Sequence, residues 1–163
     1  MNKHISVLTT LLLTVFSVTG QQNTTFTKAD HYKTAKFDVA IFPASYVDVF
    51  PSQNFTPMRK EIDKAEIALR TELKELNKRQ INQHTTPIIH KKLNKYKRQY
   101  FGYIDNNGNR ILLINCIWGS DSDAKEKWLK KRIYVLDGGS YYWNIKFNLD
   151  TDKLFDLEIN GYA

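Results

Sequence analysis

The apolar positions of this chain follow three different periods, and each period predicts a different element. From Ile5 to Val18 they are nearly continuous, broken only by Ser and Thr. From Ile62 to Leu76 they recur every three or four residues, at Ile62, Ala65, Leu69, Leu73 and Leu76. From Tyr96 onward the spacing is mostly two. A spacing of three and four lines one face of a helix, and a spacing of two lines one face of a strand.

The first run has the layout of an export signal. Lys3 precedes it, and it ends at Val18-Thr19-Gly20, a small-residue approach to Gln21. It is shorter than the roughly 20 apolar residues that a spanning helix needs. Residues 1–20 are therefore expected to be a cleaved signal peptide, leaving a protein that is secreted or periplasmic. No later segment approaches spanning length, so no membrane span is expected in the mature chain. No Cys sits near residue 20 to carry a lipid. Residues 21–36 are polar and read as a flexible lead-in, and residues 37–163 as a single α+β domain.

Within that domain, alternation at Phe37, Val39 and Ile41 predicts a strand that Pro43 ends or holds to an edge. Thr56-Pro57 marks a helix start, with Thr56 as cap and Pro57 at the first helical position. The stripe predicts a helix from Pro57 to Gln80. Its other face is charged, with Glu66–Arg70 and Glu75–Arg79 one turn apart. Strand candidates follow at Tyr96–Ile104, Arg110–Trp118, Lys131–Leu136, Ser140–Asn148 and Lys153–Asn160. Asp105 to Asn109, Asp137-Gly138-Gly139 and Asp150-Thr151-Asp152 supply turns. A short helix capped by Asp123 is expected over Ala124 to Leu129.

In the fourth candidate, Tyr141, Trp143, Ile145 and Phe147 oppose Tyr142, Asn144, Lys146 and Asn148. In the fifth, Phe155, Leu157 and Ile159 oppose Asp156, Glu158 and Asn160. The expected fold class is α+β: one long helix packed on a four- to five-stranded antiparallel meander sheet. One sheet face is buried and almost wholly apolar, and the other is wet.

One helix followed by a meander resembles the cystatin-like and NTF2-like architectures. Three stretches also resemble small secreted proteins of Bacteroidota-type bacteria. They are Tyr96-Lys97-Arg98-Gln99-Tyr100-Phe101-Gly102, Leu136-Asp137-Gly138-Gly139-Ser140-Tyr141-Tyr142 and Asn160-Gly161-Tyr162-Ala163. The resemblance covers residues 56–163. It implies fold and compartment and attaches no activity. The QxVxG segment of cystatin protease inhibitors is absent, so the likeness implies no inhibitor function.

Composition narrows the chemistry. Lys and Arg number 24 against 17 Asp and Glu, a formal net charge of +7. Cys116 is the only cysteine, so no internal disulfide forms, and its apolar run Ile111–Ile117 marks it as a small buried hydrophobe. Ser45, Ser52, Ser120, Ser122 and Ser140 lack a G-x-S-x-G or S-x-x-K context, and the thiol has no evident histidine partner. No glycine-rich loop opens a helix to cradle phosphate.

His31, His84 and His90 lack metal-ligand spacing, and the pairs Asp121/Asp123 and Asp150/Asp152 do not complete a calcium loop. Neither metal nor cofactor is expected. Asp156 and Glu158 alternate with apolar neighbours, which reads as a solvated strand face rather than a catalytic carboxylate pair. Asn23 and Asn54 head glycosylation sequons. Trp118 and Trp128 flank the longest connection, suited to capping the sheet edge or lining a pocket mouth.

Two basic stretches remain, His90 to Arg98 and Lys125, Lys127, Lys130, Lys131 and Arg132. Their interleaved aromatics would suit nucleic acid, but export places that polymer out of reach, and no nucleic acid is expected. An extracellular or cell-surface protein, an anionic polymer or an acidic membrane surface fits the charge. The expected function is a secreted, non-enzymatic binding or interaction domain. Arg98, Tyr142 and Lys146 are its candidate contacts on the polar sheet face. The alternative, implied by the NTF2-like likeness, is a small-ligand carrier or enzyme with a pocket between helix and sheet.

Overall fold

The computed structural model describes residues 28–47, 49, 53–120 and 127–162. The predicted signal peptide, the sequon at Asn23, the Asp121/Asp123 pair, Lys125 and the first half of the predicted Ala124–Leu129 helix lie outside them. The described chain is α+β, one helix on a mostly antiparallel open sheet. Strands β1 (Asp30–Lys33), β2 (Asp38–Ile41) and β3 (Asn54–Phe55) precede helix α1 (Arg59–Leu76). Strands β4 (Tyr96–Ile104), β5 (Arg110–Trp118), β6 (Tyr142–Asn148) and β7 (Lys153–Ile159) follow it. The sheet runs β1-β2-β4-β5-β6-β7, with β3 also pairing β4.

The sheet is wider than the expected meander for two reasons. Residues 30–33, read as lead-in, form β1 and pair antiparallel with β2. β2 then pairs with β4 in parallel, Val39 beside Arg98 and Ile41 beside Tyr100. Between these strands lies α1, the long crossover that a parallel pair requires. β3 reaches β4 at Gly102, where an added Cβ would sit 2.6 Å from the Phe55 carbonyl oxygen.

The helix begins later and is capped differently than Thr56-Pro57 suggests. Met58 is the cap residue, and Glu61 reaches back so that its carboxylate accepts the Met58 N–H at 2.9 Å. The Thr56 hydroxyl instead accepts the Ala44 N–H at 2.9 Å. The apolar stripe holds, since Ile62, Ala65, Leu69 and Leu73 are buried against β2, β4, β5 and β6. Leu76 is exposed.

Two departures change the sheet faces. Lys131–Leu136 forms no strand. It crosses the second sheet face as an irregular strap. The Gln99 side-chain amide donates to the carbonyls of Trp128 (2.6 Å) and Lys131 (2.7 Å) and accepts from Ile133 N–H (2.9 Å). Asn115 donates to the Ile133 carbonyl at 2.8 Å, and Asn160 to that of Val135 at 2.6 Å. Side-chain amides replace the backbone ladder that would have made this segment a strand. Beneath the strap lies a second core of Ala40, Phe42, Phe101, Leu113, Ile117 and Trp128. Strand β5 is therefore buried on both faces, as its near-continuous apolar run permits.

The second departure is in β7. A register shift falls opposite Asn144 to Lys146, and Asp156 adopts a left-handed φ of 49°. This bulge sets two residues against one. Leu154, Leu157 and Ile159 all pack on the helix-side core, while Phe155 pairs with Lys146 on the other face. The expected grouping of Phe155 with Leu157 and Ile159 is thus corrected.

Candidate functional site

The polar chemistry of the molecule collects in two places, one inside the helix–sheet layer and one on the second sheet face. The interior cluster comes from α1 and β4. Arg98 and Glu66 are both 0% exposed. Arg98 Nε lies 3.4 Å from Glu66 Oε1, and the same oxygen accepts the Tyr100 hydroxyl at 2.8 Å. Arg98 Nη2 donates to the Leu93 carbonyl at 2.6 Å. Arg70 reaches Glu66 Oε2 from the surface at 3.7 Å. Burial raises the Glu66 carboxyl above its ordinary range, against the opposing pull of Arg98. Burial likewise drives the Tyr100 hydroxyl and the neighbouring Cys116 thiol upward, so both stay protonated.

This cluster corrects two expectations. Glu66 does not lie on a solvated helix face with Arg70 as its only partner. Nor is the core face almost wholly apolar. Even alternation on β4 places Arg98 beside Tyr96 and Tyr100, which turn toward the helix, rather than on the wet face.

The second-face site grows from one turn. Trp128 is 2% exposed and anchors residues 127–131 to the sheet. Its ring meets His31 edge-on at 5.4 Å and lies under Lys97 Nζ at 4.4 Å. Lys130 and Lys131 N–H groups both close on the Lys127 carbonyl, at 2.8 and 3.0 Å. Ala29 N–H donates to the Leu129 carbonyl at 2.9 Å, which draws Lys28 to the same place. The apolar half of the turn faces inward and the lysines face out. Lys28, Lys127, Lys130 and Lys131 line an open cleft of about 480 Å³. None of these four pairs with a described carboxylate, whereas Lys33, Lys64, Lys78, Lys146 and Lys153 all do. The cleft surface is almost wholly apolar, and the four lysine side chains that line it, without described acidic partners, place positive charge at this face, which attracts anions.

The sequence-predicted contacts do not meet. Arg98 is enclosed on the helix side. Tyr142 and Lys146 stand on the opposite face, outside the described lining of the cleft. Lys146 pairs with Asp156 at 2.9 Å over the Phe155 ring, and Tyr142 packs into the second core. The run Lys127 to Arg132 was legible as basic, but nothing in its spacing indicates that Lys28 joins it. Trp118 packs edge-on against Tyr96 at 5.0 Å and Tyr141 at 5.4 Å.

Among the described residues no group of three or more His, Cys, Asp or Glu is placed to hold a metal ion, and no helix is long and apolar enough to cross a membrane. Comparison with protein-family models, curated proteins and solved structures finds no match.

Proposed function

We propose that the protein is an exported, non-enzymatic binding domain that docks an anionic partner through the lysine cleft on its second sheet face. The observation that carries this reading is the convergence of Lys28, Lys127, Lys130 and Lys131 on one cleft without described acidic partners. The turn that presents them is held by Trp128 and Gln99, so the charges project from an ordered support. Preorganisation lowers the entropic cost of docking. Export, read from residues 1–20, supplies the compartment.

The test is retention on heparin resin at low salt, together with binding to anionic vesicles. The wild-type protein is expected to be retained and to elute as salt rises, because counterion screening weakens exposed charge pairs. Reversal of Lys127, Lys130 and Lys131 to Glu is expected to abolish retention. A wild-type protein that flows through heparin and ignores anionic vesicles would overturn the reading.

A second reading, a small-ligand carrier or enzyme with a pocket between helix and sheet, draws on one observation. Arg98 Nε and Nη1 and Glu66 Oε2 are buried without hydrogen-bond partners, although Arg70 offers Oε2 an ion pair. Unsatisfied polar atoms inside apolar walls are what such a pocket would hold. Against it, Trp143, Tyr96, Ile145 and Phe147 fill the surrounding layer. A rise in thermal stability on adding a small ligand, lost in Arg98→Met with Glu66→Leu, would promote this reading to first place.

A further inference from the structure

The lysine cleft is not the only unusual feature of its face. Three large apolar side chains stand in solvent on the strap and on a loop tied to it. Val47 is 58% exposed, Tyr134 71% and Leu136 79%. Tyr134 and Leu136 belong to the strap that continues directly from the lysine turn. The loop carrying Val47 is tied to that strap, because the Tyr46 hydroxyl accepts the Arg132 N–H at 2.8 Å. Arg132 in turn lies over the Tyr134 ring at 5.6 Å. One side of the molecule thus combines a cleft lined by four lysines without described acidic partners with projecting Val, Tyr and Leu.

A soluble polyanion makes use of the lysines and leaves the apolar side chains in water. An anionic lipid surface makes use of both. Basic groups gain about 1 kcal/mol each beside anionic headgroups. Aliphatic and aromatic side chains gain further by entering the boundary between headgroup and acyl chain. The strap suits this use because its sheet-facing carbonyls at Lys131, Ile133 and Val135 are already satisfied by Gln99, Asn115 and Asn160. Its side chains can therefore enter a less polar medium without exposing those carbonyls.

We infer that the anionic partner is a lipid surface, on which the protein sits peripherally with the lysines at the headgroups and Tyr134 and Leu136 inserted. This inference rests on the proposed anion-docking reading and names the partner of that same face.

The experiment uses the mature chain with vesicles of phosphatidylcholine alone or mixed with phosphatidylglycerol, and heparin resin in parallel. Co-sedimentation with the mixed vesicles, and not with phosphatidylcholine alone, is the expected result. Reversing Lys127, Lys130 and Lys131 should lower partitioning by about a hundredfold or more. The double variant Tyr134→Ser with Leu136→Ser should lower it by about tenfold or more while leaving heparin retention unchanged. All five residues are exposed, and circular dichroism checks that each variant remains folded. Heparin retention without vesicle binding would overturn the lipid inference and leave the anion-docking reading standing. Vesicle binding that survives the double variant would overturn insertion. Failure on both heparin and mixed vesicles would overturn both readings.

Discussion

Arg98 and Glu66 illustrate how one residue pair decides a local balance. Each charge is buried, so each needs the other. Removing one partner of such a pair typically costs about 3–5 kcal/mol, because the survivor is left uncompensated. Arg98→Ala is accordingly expected to lose that much stability in urea denaturation. Replacing both, as Arg98→Met with Glu66→Leu, is expected to recover most of the loss, since apolar side chains of similar volume need no counter-charge. A double variant no more stable than Arg98→Ala would show that Tyr100 and Leu93 depend on the pair for their own placement.

The same carboxyl sets a pH dependence. Burial raises Glu66 in the folded state, helped by Asp63 and opposed by Arg98, Tyr100 and Arg70. Between its unfolded and folded values the folded chain holds a proton that the unfolded chain has released. Stability from this group is therefore present at low pH and is lost as pH rises through the raised value. Glu66→Gln has no proton to lose there. Denaturation of both proteins from about pH 4 to about pH 8 is expected to show a steeper decline with pH in the wild type than in the variant.

At the scale of elements, the strap depends on one side chain more than on its own backbone. Gln99 serves the carbonyls of Trp128 and Lys131, the N–H of Ile133 and the amide of Asn115. Gln99→Leu would leave these buried groups without their partner, at about 1–3 kcal/mol for each unsatisfied group. Hydrogen exchange at Ile133 is expected to accelerate strongly, while exchange within β5 and β6 changes only with global stability. Uniform acceleration everywhere would mean that the strap and sheet open together.

This element also marks the limit of what the sequence discloses. Tyr96–Ile104 and Arg110–Trp118 were predicted with their observed bounds, because a period of two meets a turn rich in Asp, Asn and Gly. Lys131–Leu136 has the same alternation, yet its hydrogen bonds come from amides about 18 to 34 residues distant, which no local period encodes. Glu66 carries the i,i+4 signature of an exposed pair with Arg70. It lies on the buried stripe, one turn from Ile62 and Leu69, and meets Arg98 across the layer, whereas Glu75 lies off the stripe, stays exposed and pairs with Lys78.

At the scale of the whole molecule, the fold joins distant parts of the chain. β2 pairs with β4 across the entire helix, and β1 lies beyond β2. Loop closure must precede the reward from such contacts. Refolding followed by tryptophan fluorescence is expected in the millisecond-to-second range typical of nonlocal topologies. A microsecond phase carrying the full amplitude would contradict that expectation. The candidate site is a product of the same long-range order. Its lysine run was visible, but the cleft exists only because Ala29 bonds to Leu129, bringing residue 28 beside residues 127–131.

The bulge at Asp156 has a consequence beyond redirecting Leu154 and Leu157. β7 closes one side of the sheet, where a straight strand would offer a second molecule a template for backbone pairing. The left-handed residue interrupts that template at its middle, and the charges of Lys153, Asp156 and Glu158 flank the break. Growth of one sheet into the next, the first step toward a fibre, is obstructed at this edge. A chain without an internal disulfide thereby gains protection against polymerisation through β7 from a single turn of its backbone.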